Sequence, residues 1–346
     1  MIDLRETLER LLGRGHLTEA EAGELLVALT DSAVAPAMGG ALLAALRSKG
    51  VTPDEVRGFA GAMRRLARRP ELPPGTPAID IVGTGGDSSG SFNLSTGAAL
   101  LVAAMGVRVV KHGNRSVSSR SGSADLLECL GLPLPLDEKG AGACLAATGF
   151  TFLFAPHYHP SMKEIAPVRR ALGVRTVFNL LGPLTNPAAP PFGLIGAYSR
   201  DAAQLMAETL SGMPIERVFV VHGEPGWDEP TPCGPFELYD VSPGRVERTV
   251  RDPADYGLRR CAPGELAGSD ATHNAAGLRA VFAGEDRGPH RDAIVLNTAL
   301  ALEITGAVSD PLAAIHAASA AIDRGDGVRL LGQLTAFGAS LRASVG

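Results

Sequence analysis

Between Ala78 and Phe154 the chain repeats apolar run, small-residue turn and helix-forming stretch at short intervals. Ile79, Ile81 and Val82 end one strand, Ala98 to Met105 read as a helix, and Val107 to Val110 as a second buried strand. Leu126 to Leu130 begin a helix, Ala141 to Thr148 are again helical, and Thr151 to Phe154 form a third strand. This alternation implies parallel βαβ units with right-handed crossovers. It restricts the chain to an α/β fold whose strand-to-helix turns line the carboxyl edge of the sheet, where open α/β folds place ligands. With 346 residues the chain is long enough for one large or two ordinary domains with a substantial core.

Two of those turns have compositions suited to a polyanion. After the first strand come Gly83, Thr84, Gly85, Gly86 and Asp87, then Ser91 and Asn93 to Thr96. The glycines let backbone approach a ligand closely, and Ser95 or Thr96 starts a helix whose free N–H groups favour an anion. The glycine spacing is neither a dinucleotide fingerprint nor a Walker A loop. After the second strand come Lys111, His112, Gly113, Asn114, Arg115, Ser116, Val117, Ser118 and Ser119, rich in cations and hydroxyls with little bulk. Further on, Val218 to Val221 read as a strand ending at His222 and Gly223, with Asp228 and Glu229 in the following loop. Adjacent carboxylates in a loop converge on hard cations, and Mg2+ binds through one or two carboxylates plus substrate phosphate oxygens. Arg169, on the stretch Met162 to Leu172, is a planar, always-charged fork suited to a carboxylate.

These blocks, with Phe154-Ala155-Pro156, His159-Pro160, Pro167-Val168-Arg169-Arg170 and the run Arg175 to Pro187, resemble the anthranilate phosphoribosyltransferase family, in order and through nearly the whole chain. The resemblance implies a small all-helical domain plus a larger α/β domain with a mainly parallel central sheet flanked by helices. It implies residues 1–70 plus about 162–187 for the helical domain, on the anthranilate side and at a homodimer interface. Residues 76–161 plus about 188–346 would form the domain that binds 5-phosphoribosyl 1-diphosphate (PRPP). It further implies PRPP contacts from Gly83, Gly86, Asp87, Ser91, Asn93, Leu94, Ser95, Thr96 and the stretch Lys111 to Ser119. Gly83, Asn114 and Arg169 would place anthranilate, while Ser95, Asp228 and Glu229 would ligate Mg2+, expected as two ions. No residue presents itself as a general acid or base. Two departures stand out: Ser91 occupies a usual threonine position, and the acidic loop continues Pro230-Thr231-Pro232-Cys233-Gly234-Pro235, richer in proline than is typical of the family.

Two rival readings share some of these features. A pyrimidine nucleoside phosphorylase has the same architecture but a different lysine loop. A non-catalytic nucleic-acid-binding relative would show a broad basic surface and lack the acids, whereas the net charge here is −5 with the cations concentrated in a few loops. Nothing at the N-terminus resembles a secretory signal, since Met1 to Leu12 already mixes charge with leucine, and no apolar run reaches the length of a membrane span. The four scattered cysteines read as reduced thiols of a cytoplasmic protein, with Cys129 and Cys144 expected to be buried on helices. His157 and His159 lack further ligands at metal-site spacing. In the first 70 residues, Leu4, Leu8, Leu11 and Leu12 mark one amphipathic helix, Thr18 with Glu21 caps a second, and Thr52-Pro53-Asp54-Glu55 starts another. Short helices of this kind must bury their apolar faces on a partner. Phe236 to Val241 and Arg245 to Val250 read as a hairpin, followed by four alanine- and leucine-rich helices to the C-terminus.

Overall fold

The computed structural model describes residues 2–75, 77–87, 89–116 and 120–345, with residues 344 and 345 described through their backbone only. Four helices open the chain: α1 (Leu4–Leu12), α2 (Glu19–Leu29), α3 (Pro36–Lys49) and α4 (Pro53–Leu66). Thr18 with Glu21 and Thr52 with Glu55 form the capping boxes that their spacing predicts. Glu55 also accepts from the Leu17 N–H at 2.9 Å and pairs with the Lys49 ammonium at 2.7 Å, both side chains fully buried. A buried charge with all its partners in place ties three segments of the block together. The helix α3 is an addition to the sequence reading; Pro36 opens it, and Leu42, Leu43 and Leu46 are buried.

The sheet strands are β1 (Ile79–Gly83), β2 (Val109–Gly113), β3 (Phe150–Phe154), β4 (Phe192–Gly196), β5 (Arg217–Gly223), β6 (Phe236–Ser242) and β7 (Arg245–Arg251). Between them run α5 (Leu94–Ala104), α6 (Ser123–Cys129), α7 (Glu138–Thr148), α8 (Ala155–Tyr158), α9 (Met162–Leu172), α10 (Phe178–Leu181) and α11 (Arg200–Ser211). Four helices complete the chain: α12 (Ala271–Phe282), α13 (Pro289–Ile304), α14 (Pro311–Asp323) and α15 (Asp326–Val345). The strands lie in the order β3-β2-β1-β4-β5-β6-β7, with the first five parallel and β6 and β7 added as an antiparallel hairpin. Successive connections therefore run outward from β1 to β2 and β3, then return to β4 on its other side. The crevice at the carboxyl ends of β1 and β4 is the topological switch point, where doubly wound sheets bind ligands.

Alternate residues of the central strands supply two apolar layers. Ile81, Leu194, Phe219 and Val221 pack toward α5, α13 and their neighbours, while Ile195, Val218 and Val220 join the cluster containing α11 and the N-terminal helices. Ile165, Val168, Phe178 and Leu184, from the stretch after β3, belong to that same cluster with Leu42 and Phe59. The N-terminal helices thus find partners both in the mid-chain segment and on one face of the sheet. No described helix is long and apolar enough to cross a membrane. Cys144 is buried as expected, but Cys129 is exposed: it ends α6, whose inward face is taken by Ala124, Leu126 and Leu127.

Candidate active site

Three strands end in glycine at the switch point, and each glycine makes room for the acidic loop. A Cβ on Gly196 would lie 1.5 Å from the Asp228 carbonyl oxygen, one on Gly83 2.3 Å from Asp228 Oδ2, and one on Gly223 2.3 Å from the Glu229 carbonyl oxygen. The loop is closed by paired bonds between Gly223 and Trp227, each 2.9 Å, and by Glu224 N–H to the Pro235 carbonyl at 3.1 Å. From outside, Asn297 on α13 donates to the Pro230 carbonyl at 2.9 Å. The prolines remove donors from this loop, yet its shape is fixed by these contacts and its acids are buried over the strand ends.

The carboxylates occupy the donors of the glycine turn and of the α5 N-terminus. Asp228 Oδ2 accepts from the Gly85 N–H at 2.6 Å. Glu229 accepts from the Ser95 N–H at 3.0 Å and the Ser91 hydroxyl at 3.1 Å, so it caps α5, whose own Asn93 makes no capping bond. Asp87 accepts from the Asp228 N–H at 3.2 Å and from Ser89. Burial, then Glu229 and Asp87, holds Asp228 well above the usual carboxylate range; burial raises Glu229 to about 7 against the bond from Ser95. The side chains of Asp87, Ser91, Asp228 and Glu229 offer oxygen, the ligand atom that hard cations prefer, and burial of the two raised acids favours a positive partner. Among the described residues, no three or more His, Cys, Asp or Glu could hold a metal ion together. The residues present therefore fit Mg2+ completed by water and phosphate oxygens rather than a closed protein cage.

Lys111 and His112 lie inside β2, not in the turn after it. The sequence reading takes the apolar run Val107 to Val110 as the strand and Lys111 as the start of the turn, whereas the strand spans Val109–Gly113 and buries the lysine, a costly placement. Here the cost is offset by Asp80, Glu229 and Asp228, whose charges oppose the desolvation that pulls Lys111 down, and its ammonium donates to the Ile81 carbonyl. Asp80, raised to about 6 by burial, accepts from Asn186 Nδ2 at 2.8 Å and the His112 N–H at 3.2 Å. The His112 ring, on the opposite side of the strand from Lys111, bonds the Gly182 carbonyl at 3.1 Å and meets the His159 ring edge-on at 5.1 Å between centroids.

Asn114, Arg115 and Ser116 follow at the open edge. Asn114 is exposed, and the Arg115 guanidinium is engaged by Glu128 and Asp125 at 2.6 and 2.9 Å. Ser116 N–H donates to Asp125 at 3.2 Å, which ties the turn to the start of α6. Val117, Ser118 and Ser119 lie outside the described residues. The turn is joined to α5 by Asn93, which exchanges bonds of 3.2 Å with Ser121 and accepts from Asn274 at 2.8 Å. Leu94 and Thr96 are buried, Leu94 completely. Gly86 adopts a left-handed backbone, and its carbonyl accepts from Arg175, whose guanidinium stacks 4.0 Å from the Tyr198 ring centroid. Arg47 of α3 in turn donates to the Arg175 carbonyl, so this arginine straps the helical block to the glycine turn. Arg169 lies over the Phe178 ring at 4.9 Å, and burial alone, with no charged neighbour contributing among the described residues, lowers its pKa. The planar fork of such a guanidinium is geometrically suited to a carboxylate.

Asp80, Asn186, Arg175, Asn297 and Gly196 are site components to which the sequence reading assigns no role. Arg175 and Asn186 sit in the run from Arg175 to Pro187 that sequence singles out, and Asp80 leads into the glycine turn; Asn297 and Gly196 have no local signal.

Comparison with known proteins agrees with this architecture. Residues 75–328 match the model of the glycosyl transferase family a/b domain, and residues 5–67 match its helical bundle domain. The chain is 46% identical to the anthranilate phosphoribosyltransferase of Methylobacterium nodulans over 97% of its length and 99% of the relative's. The crystal structure of the Thermus thermophilus anthranilate phosphoribosyltransferase superposes with a TM-score of 0.90 at 41% identity, covering 96% of this chain and 99% of that one. The Saccharomyces cerevisiae enzyme in complex with PRPP and Mg superposes with a TM-score of 0.88 at 26% identity, covering 97% of this chain and 98% of that one.

Proposed function

Because the chain belongs to the anthranilate phosphoribosyltransferase family, we propose that it transfers the phosphoribosyl group of PRPP to the amine of anthranilate, releasing diphosphate, in the second step of tryptophan biosynthesis from chorismate. The observation that carries this reading is the buried Asp228–Glu229 pair, seated on three strand-end glycines between the glycine turn and the α5 N-terminus.

Departure of diphosphate from C1 builds negative charge on the leaving group and positive charge on the ribose. The chain's task is to receive the former with fixed donors in a water-poor crevice. The N–H groups of the turn from Gly83 to Asp87, the groups of Ser91, Asn93, Leu94, Ser95 and Thr96, and the residues from Lys111 to Ser119 are proposed to hold the phosphates. Asp228, Glu229 and Ser95 would hold Mg2+, two ions in this reading, and the metal when bound supplies charge neutralisation at the diphosphate oxygens. Lys111 balances the carboxylates from behind. Gly83, Asn114 and Arg169 position anthranilate, and holding two reactants in line contributes several kcal/mol without any general base. The helical block with residues about 162–187 is taken as the anthranilate side and, with Leu12, Val27 and Leu66 exposed, as the surface that joins two copies.

Loss of anthranilate fluorescence on mixing protein, PRPP and Mg2+ tests the reaction; no loss at saturating substrates refutes it. Arg169→Ala should raise the anthranilate KM by roughly ten- to a hundredfold, in line with a lost charge-assisted bond, while leaving the PRPP KM near the parent value. An unchanged anthranilate KM removes Arg169 from the site.

A further inference from the structure

Two cysteines far apart in sequence meet beside the acidic loop. Cys233 follows the Asp228–Glu229 pair, and Cys261 lies between the short 3-10 turns Pro253–Tyr256 and Pro263–Leu266. Their sulfurs are 3.7 Å apart and both side chains are partly exposed. The other two cysteines differ from this pair: Cys144 is buried against Thr148, and Cys129 is exposed at the end of α6. A disulfide has its sulfurs about 2.05 Å apart, so closure requires an approach of under roughly 2 Å, within reach of side-chain rotation and a small loop adjustment. The contacts that pin the acidic loop stand between Cys233 and the carboxylates: Asn297 holds the Pro230 carbonyl, and the Thr231 hydroxyl accepts from the Cys233 N–H at 3.3 Å. The pair is therefore placed to join without pulling on Glu229.

We propose that Cys233 and Cys261 are an oxidisable pair that closes to a disulfide by exchange with a small-molecule disulfide of the glutathione type. The Cys233 thiolate attacks one sulfur of the small disulfide, forming a mixed disulfide and releasing one small thiol. Cys261 then attacks the Cys233 sulfur, its proton passing to the second departing thiol. One small disulfide is reduced to two thiols, and the protein gives up two electrons and two protons. Burial, the neighbouring sulfur, Glu265 and Asp292 push the Cys261 thiol up to about 12, so it gives up its proton only as it attacks. The bond crosslinks positions 28 residues apart and removes freedom from the unfolded chain, so it raises the melting temperature.

The test exposes the full chain to oxidised glutathione near pH 8, blocks the remaining thiols, and maps linked peptides by mass, with Cys129 as the accessible control thiol. The expected result is a Cys233–Cys261 crosslink, reversed by dithiothreitol, with a melting temperature several degrees above that of the reduced protein. Cys261→Ser, or Cys261→Ala if serine is not tolerated, should instead accumulate glutathione on Cys233 and gain no stability. Free thiols at Cys233 and Cys261 under conditions that modify Cys129 overturn the proposal. So does a Cys261 variant whose Cys233 takes up no glutathione.

Discussion

Gly196→Ala is the most direct probe of how the sheet seats the acidic loop. The added Cβ would lie 1.5 Å from the Asp228 carbonyl oxygen and 2.5 Å from its carbonyl carbon. Both are backbone atoms, so no side-chain rotation relieves the clash. Since ordinary contact begins near 3.4 Å, strand and loop must part by about 1.9 Å. Displacement of a positioning group by about 1 Å already costs on the order of a hundredfold in rate, so kcat/KM should fall at least a hundredfold, about 2.7 kcal/mol of transition-state stabilisation. Overpacking adds about 1–3 kcal/mol of lost stability. The control is Gly193→Ala on the same strand, where the new Cβ would meet the Val218 methyls at 3.5 Å, an ordinary contact. Neither glycine has a positive φ, so alanine is compatible with both backbones. Initial rates from anthranilate fluorescence, with a melting curve for each variant, separate the outcomes. Wild-type kcat/KM in Gly196→Ala, or an equal loss in Gly193→Ala, refutes the reasoning.

Removing the buried acids should separate activity from stability. The double variant Asp228→Asn, Glu229→Gln should lose turnover at saturating Mg2+ yet melt higher than the parent at pH 8 without metal. Burial raises both carboxyls, so ionising them above about pH 4.5 works against the folded state. A lower melting temperature contradicts the electrostatic account, and retained turnover contradicts the metal role. His112 and His159 predict acid sensitivity: burial pulls them down to about 3 and about 4, and their Nε2 atoms have no partner among the described residues. Unfolded histidine takes up a proton below about pH 6.5 while these two stay neutral, so each costs about 1.4 kcal/mol per pH unit below that value, roughly 2 kcal/mol at pH 5. Urea unfolding at pH 7.5 and pH 5 should show a smaller difference in a His112→Asn, His159→Asn variant than in the parent; equal differences remove these residues as the cause.

What sequence reveals here is what is local. The capping residues Thr18, Glu21, Thr52 and Glu55, the glycine turn and the hairpin about Gly244 each carry their signal within a few positions, and each appears as read. β4 escaped because Phe192 to Gly196 is five residues long, contains two glycines and follows two prolines, a composition with little strand signal. Yet the segment pairs with β1 along its whole length, and Gly196 is needed under Asp228. Lys111 reads as the start of a turn because its neutralising acids, Asp80, Asp228 and Glu229, come from distant segments. The Cys233–Cys261 contact and the Arg175 strap are likewise products of tertiary placement.

Asn297 sits midway along α13, where every residue from Ala293 to Ile304 is buried. The height of the acidic loop above the strand ends is thus inherited from a stretch of helix closed off from solvent. Trimming Leu296 or Leu300 would let that helix settle, and the shift would be delivered through one amide to Pro230. Libraries built to vary this protein while sparing only its crevice will keep losing function at such interior positions, and a filter for correct folding alone will not reveal why.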